Sequence, residues 1–156
     1  MCNEEFMRMA IEKAREGIEA GQTPFGACLV KDQEVIVCEH NRVWEETNIT
    51  SHAEIVAIRE ACKKLGTVDL SGCTIYTTTE PCPMCFSAIH WAKIDKIIFG
   101  TRIRDAQEAG FSELTISNED MKQQGKSPVK IRADFMAQEC KALFEEFLAK
   151  ADRRLY

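Results

Sequence analysis

Two short stretches of the chain hold side chains suited to metal and proton chemistry: His52-Ala53-Glu54 and Pro81-Cys82-Pro83-Met84-Cys85. Thiolate and neutral imidazole are preferred ligands of Zn²⁺. His52, Cys82 and Cys85 would supply three of them, and two thiolates cancel the charge of the ion. Three protein ligands leave a tetrahedral zinc with one open position, which a catalytic site needs and a structural site lacks. Such an ion ionises water near neutral pH. Glu54, unligated beside it, would be free to move protons, and an amino group leaves well only when protonated to ammonia.

Other readings of the same residues stand beside this one. Cys82-Pro-Met-Cys85 alone has the spacing of a redox pair. A structural zinc would need a fourth ligand, for which Cys73 and His90 are the candidates. His90, however, lies five residues past Cys85 on a different helical face, and Cys73 lies at the far end of its strand. Glu54 follows Ser51 by three residues, a capping-box spacing that would occupy its carboxylate with a backbone N–H.

The elements that must position these groups can be read in order. Residues 4–19 place Phe6, Met7, Ala10, Ile11, Ala14 and Ile18 at helical spacing. Gly26 to Lys31 and Glu34 to Glu39 form an antiparallel hairpin about Asp32-Gln33, which runs out at His40-Asn41-Arg42. Residues 43–51 read as a polar loop. A helix follows to about Leu65, with His52 and Glu54 in its first turn, and Gly66 stops it. Cys73 to Thr78 is a strand, and a helix opens near Cys82 with Pro83 in its first turn. Lys96 to Gly100 is the next strand, so the strand–helix–strand order implies a parallel, right-handed crossover. Residues 101–128 show least periodicity. Val129 to Arg132 reads as a short strand and residues 134–151 as a final helix. Both halves of the motif thus lie at helix N-termini, where the dipole favours thiolate.

The chain has 156 residues, enough for one domain with its own core. Its net charge of −5 argues against a nucleic-acid partner, whose phosphates require a basic face. Residues 4–19 mix Glu, Lys and Arg with apolar groups, so no signal peptide is expected. No apolar run approaches the ~18 residues of a membrane span. The eight cysteines are therefore expected to be free, in a reducing cytoplasm, with Cys28, Cys38, Cys62, Cys73 and Cys140 acting as small core residues.

Taken together, PFGACLVKD, Asn41, SHAEIVAIREA, YTTTEPCPMC and KIIFG resemble the cytidine deaminase-like zinc deaminases over nearly the whole chain. The resemblance implies an α/β fold, a three-layer α/β/α sandwich around a five-stranded mixed sheet. It implies one Zn²⁺ per subunit and a zinc-dependent aminohydrolase with Glu54 as the catalytic acid–base. Within the superfamily, Glu108-Ala109-Gly110-Phe111 with an acid soon after, and Tyr156, resemble the bacterial-type guanine deaminases. That implies a homodimer in which the segment from about 111 to 156 is exchanged between subunits. It also implies substrate contacts: Asn41 hydrogen-bonding the purine, Phe25 walling the ring, and Ala53 and Trp91 lining the pocket. Glu113 would hold the guanine edge, and Tyr156 would close the site from the partner. The family pattern has Asp where this chain has Glu113; the charge is kept, and the carboxylate moves by roughly one bond, ~1.5 Å. The expected reaction is guanine to xanthine and ammonia. The alternatives are deamination of tRNA adenosine, or of guanosine, isocytosine or an aminotriazine.

Overall fold

The structure is a computed structural model and describes residues 2–156. The first helix, α1 (Glu4–Glu19), buries all six of the apolar positions that its spacing singles out. Asn3 caps it, accepting from the Glu5 N–H at 2.9 Å. β1 (Gly26–Lys31) and β2 (Glu34–His40) pair antiparallel. Asp32 and Gln33 both adopt positive φ, the pair of left-handed residues that a two-residue hairpin turn requires.

After one short turn, α2 (Val43–Glu46), comes α3 (Ala53–Leu65), which ends on Gly66 in the left-handed conformation. β3 (Cys73–Thr79), α4 (Pro83–Trp91) and β4 (Lys96–Thr101) make the expected crossover, and β3 and β4 are parallel. The remainder is α5 (Ile103–Glu108), α6 (Asn118–Gly125), β5 (Lys130–Arg132) and α7 (Ala137–Leu148).

The sheet order is β2-β1-β3-β4-β5, with β1 antiparallel to both neighbours and β4–β5 parallel, so the sheet is mixed as expected. Strand alternation builds two apolar layers. Ala27, Leu29, Ile75, Ile97 and Phe99 meet Ala57 and Ala61 of α3 and Phe86 and Ile89 of α4. Cys28, Val30, Tyr76 and Ile98 face the other way, onto α1 and α7. Two glycines set the closeness of that second layer. A Cβ at Gly26 would lie 2.1 Å from the Ala10 carbonyl oxygen, and one at Gly100 would lie 2.3 Å from Cys140 Sγ. Helices α1 and α7 can lie this close to the sheet only because the strands lack side chains there.

Three local expectations are corrected. Residues 43–51 and 101–128 contain the short helices α2, α5 and α6, each of about two turns or fewer, too short to show a stripe. The last helix is shorter than 134–151, and Leu148 at its end is exposed. Cys38 and Cys62 are half-buried rather than core, whereas Cys28, Cys73 and Cys140 are buried. Among the described residues no helix is long and apolar enough to cross a membrane.

Candidate metal centre and active site

His52 and Cys82 occupy the same structural position on two different helices. Each is the N-cap residue, with extended backbone at φ −63° and ψ 156° or 167°. Pro83 at the first position of α4 preorganises that start without losing a needed N–H. Cys85 then lies one turn into α4 and is fully buried. The sequence thus brings both helix tips together at the carboxyl ends of the parallel strands β3 and β4, the usual ligand end of such a sheet.

His52 Nδ1 lies 3.6 Å from Cys82 Sγ and 3.6 Å from Cys85 Sγ. A tetrahedron with ordinary Zn–N and Zn–S bond lengths has an N···S edge of about 3.6 Å. The ligand atoms of His52, Cys82 and Cys85 all fall within 4.8 Å of one another, and no fourth His, Cys, Asp or Glu joins them among the described residues. His90 is engaged elsewhere, its Nδ1 2.8 Å from Ser127 Oγ. Cys73 packs in the apolar layer under α3 and α4. The donor set therefore fits zinc with an open position.

The electrostatics of the three ligands fit a cation between them. Cys82 is held down to about 4, first by its contact with the Cys85 thiol and, against burial, by His52. Burial pushes the Cys85 thiol well up, and the neighbouring sulfur adds to it. Burial also opposes charge on His52, but the Cys82 thiolate, Glu54 and Glu113 outweigh it and raise the imidazole. Two thiols sharing one charge in this way are a site that lacks positive charge.

Glu54 is 6% exposed, and the N-cap of its helix is His52 rather than Ser51. Ser51, the expected partner of the capping box, gives its hydroxyl to Glu46 instead. Glu54 Oε1 lies 3.0 Å from Thr77 Oγ1, which is also 3.0 Å from the Thr79 carbonyl oxygen. A hydroxyl has one hydrogen. Thr77 can donate it to ionised Glu54, or pass it to Thr79 and accept from protonated Glu54. The pair is thus satisfied in either state. Burial is the first cause that raises Glu54 above the ordinary carboxylate range, with the Cys82 thiolate second. A raised carboxyl suits a group that both takes and returns a proton.

A cavity of about 350 Å³ opens onto the ligands, lined by Ile49, His52, Cys82, Pro83, Met84, Ser112, Glu113, Leu114 and Tyr156. A small deeper recess joins Phe25, His52, Glu54, Thr79, Glu80, Cys82 and Glu113. The rim residues Ile49, Met84 and Leu114 are exposed apolar side chains. Such a site is concave and mostly apolar, with few polar groups, as small-molecule sites are.

The expected substrate contacts separate into groups. Glu113 reaches both cavity and recess, where burial first and the Cys82 thiolate second push it up to about 7. Tyr156 stacks on His52, with ring centroids 5.4 Å apart, and its hydroxyl accepts from Asn41 Nδ2 at 2.7 Å. Asn41 is fully buried behind it, and its Oδ1 accepts from the Val43 N–H at 3.0 Å. Phe25 walls the recess and packs edge-on against Phe111, centroids 5.0 Å apart.

Two expected contacts are not brought to the site. Trp91 is 81% exposed at the end of α4 and lines a separate groove with His90, Ser127 and Pro128. It sits near the C-terminal end of the helix whose N-terminus holds the cysteines, which puts it away from the ligand cluster. Ala53 is wholly buried in the apolar layer and lines neither cavity nor recess. The resemblance brings Tyr156 from a partner subunit; in this chain, described alone, it reaches the site of its own subunit. Ser112 donates to the Tyr156 main-chain oxygen at 3.1 Å, and Trp44 Nε1 donates to Arg154 O at 3.1 Å. The Arg154 guanidinium lies over the Trp44 ring.

Sequence reasoning missed Thr77, Glu80 and Asn118, and gave Phe111 no role beyond its place in the motif. Glu80 is buried, and its two oxygens accept from the Ile103 N–H at 3.0 Å and the Asn118 N–H at 2.9 Å. One carboxylate thereby caps the first residues of both α5 and α6. It fixes the starts of the two helices that flank the connection carrying Glu113. Asn118 in turn donates from Nδ2 to the Pro81 carbonyl at 2.7 Å, tying that connection to the cysteine loop. An acid immediately before Pro-Cys was the available signal. Phe111 packs against Phe25, Phe147 and Tyr156, and so holds the closing tyrosine in place.

Fold and site together define a zinc-dependent deaminase. The chain belongs to the family described by the cytidine and deoxycytidylate deaminase zinc-binding region, whose model matches residues 1–101. It is 44% identical over 120 residues to the guanine deaminase of Bacillus subtilis (strain 168), covering 76% of this chain and 77% of that one. It is equally 44% identical, over 99 residues, to the tRNA-specific adenosine deaminase of Aquifex aeolicus, covering 64% and 66%. Among solved structures, the guanine deaminase from Nitrosomonas europaea superposes with a TM-score of 0.86 at 28% identity, covering 96% of this chain and 86% of that one.

Proposed function

We propose that the chain hydrolyses a purine nucleobase at an amidine edge, converting guanine and water to xanthine and ammonia. The observation that carries this reading is Glu113, a carboxylate held beside His52, Cys82 and Glu54 in one recess. Guanine presents two donors on one edge, N1–H and the 2-amino group, and a carboxylate accepts both. The corresponding edge of adenine has an acceptor at N1, which a carboxylate repels.

A zinc held by His52, Cys82 and Cys85 supplies Lewis acidity and a nucleophile derived from water. The protein's own groups do the rest. Glu113 orients the base so that C2 faces the ligand residues His52, Cys82 and Cys85. Glu54 takes one proton from the attacking water and gives it to the ring nitrogen beside C2, then takes the second from the hydroxyl added at C2 and gives it to the exocyclic nitrogen, so that the C2–N bond breaks and ammonia leaves. Thr77 keeps Glu54 hydrogen-bonded through both states. Asn41 Nδ2 donates to a purine acceptor once it is released from the Tyr156 hydroxyl, and the Tyr156 ring, with the apolar rim, covers the base and excludes water.

Zinc-loaded protein given guanine, guanosine, isocytosine, and a tRNA anticodon arm should release ammonia fastest from guanine, with xanthine as the product. Inosine in the tRNA, with no xanthine from guanine, would reverse the reading in favour of the tRNA deaminases.

Glu113 also sets an expected pH dependence. Its carboxyl titrates above the ordinary range, and zinc would cancel the Cys82 charge that adds to burial, so in the loaded enzyme it titrates between its ordinary value and about 7. Guanine needs the ionised form, so KM should fall as pH rises through that window. Glu113→Gln should abolish this dependence and raise KM by about 10–100-fold, since one charged hydrogen-bond partner contributes about 1.5–3 kcal/mol. An unchanged KM profile in the variant would remove Glu113 from substrate recognition.

A further inference from the structure

Away from the metal ligands, a second pair of cysteines is brought together by the hairpin. Cys28 of β1 and Cys38 of β2 are direct register partners, and both pack on the face of the sheet covered by α1. The kind of pair follows from the ladder. Asn41 donates its N–H to the Phe25 carbonyl at 3.1 Å, which makes Phe25 and Asn41 a hydrogen-bonded pair. Hydrogen-bonded and non-hydrogen-bonded pairs alternate along an antiparallel ladder. Three steps along, Cys28 and Cys38 are therefore a non-hydrogen-bonded pair, the closer class, with Cα atoms ~4.5 Å apart. That spacing lies inside the range a disulfide spans. The irregularity in this ladder falls beyond them, between Leu29 and Val30, so the alternation up to Cys28 is intact.

The two thiols differ in the way a resolving pair requires. Cys28 is fully buried in the central part of the sheet, whereas Cys38 is half-buried on the edge strand β2. Contact with Cys28, helped by Lys13, lowers the Cys38 thiol against burial, while the same contact and burial push Cys28 up. An oxidant can thus meet the more ionised sulfur from outside, and the protonated partner waits beneath it.

We propose that Cys28 and Cys38 form a redox-responsive dithiol, separate from the zinc ligands, that a hydroperoxide closes to a disulfide. Cys38 sulfur attacks the outer peroxide oxygen, giving the sulfenic acid and releasing an alcohol or water. Cys28 sulfur then attacks the Cys38 sulfur and expels water, so the two thiols are oxidised by two electrons and the peroxide is reduced. The bridge pins β1 to β2 next to the end of the hairpin that carries Phe25 and Asn41.

The test uses zinc-loaded protein, in which Cys82 and Cys85 are shielded by the metal. It is treated with one equivalent of hydrogen peroxide, blocked with N-ethylmaleimide while still folded, and digested with trypsin without reductant. Cleavage leaves Cys28 in Glu16–Lys31 and Cys38 in Asp32–Arg42, one cysteine in each. The two peptides should appear joined and two hydrogens lighter, and separate on adding dithiothreitol. Cys38→Ser should lose the joined species, and Cys28→Ala should leave Cys38 as an unlinked sulfenic acid that a second equivalent of peroxide carries on to sulfinic acid. Wild-type protein in which Cys38 is oxidised but unlinked, or in which neither cysteine reacts, would overturn the proposal without reference to either variant or to the substrate.

Discussion

Replacing Glu54 with Gln is expected to leave the zinc bound and to lower kcat by about 10²–10⁴-fold, the range that a positioned acid–base contributes. Gln keeps an oxygen to accept from Thr77 Oγ1, the contact that Glu54 makes at 3.0 Å. It also replaces a buried charge with a neutral amide in a recess where burial already opposes ionisation. The variant should therefore fold as well as the parent, with an unchanged or higher Tm, and elemental analysis should find the same zinc content. What Gln cannot do is accept a proton from water and return it to a nitrogen. If, as proposed, Glu113 rather than Glu54 meets the substrate's donor edge, substrate should still bind and the loss should fall on kcat rather than KM. Full activity in a zinc-replete Glu54→Gln protein would assign the proton transfers to another group. Loss of zinc in it would instead make Glu54 part of the metal's support.

The contrast between Glu54 and Glu80 shows how far the sequence could be read. Glu54 was legible because its neighbour His52 shares the chemistry of Cys82 and Cys85, and four such residues at two helix starts rarely coincide. The same reasoning placed the hairpin and the parallel crossover, where periodicity extends over several residues. It could not resolve α2, α5 or α6, which are too short for a stripe. Nor could it find Glu80, whose role exists only because two distant helix starts converge on it. Ser51 and Glu54 had a capping spacing, but tertiary packing gave each a different partner, Glu46 and Thr77. Trp91 lies apart from the cavity of this chain for a geometric reason: nine residues beyond Cys82 along α4 is about 13.5 Å at the helical rise. Tyr156 shows the opposite case, an end residue with no periodic context that nevertheless stacks on a ligand.

Removing the metal gives the second large effect, and its readout need not be turnover. In the metal-free protein Cys82 titrates at about 4, because the Cys85 thiol and His52 stabilise its thiolate. Cys85 remains a buried thiol. At about pH 6 almost all Cys82 is then ionised, whereas an ordinary thiol near 8.5 is ionised to well under 1%. Iodoacetamide should therefore modify Cys82 first in chelator-treated protein, while Cys85, without solvent access, reacts far more slowly. Zinc should suppress labelling of Cys82, since a coordinated sulfur has its lone pair engaged and the site closed around it. Modified protein should no longer recover activity with added zinc, whereas untreated metal-free protein should recover fully. Equal labelling with and without zinc would mean that Cys82 is not a ligand. Equal labelling of Cys82 and Cys85 in the metal-free protein would mean that the Cys85 thiol and His52 do not localise the charge on Cys82.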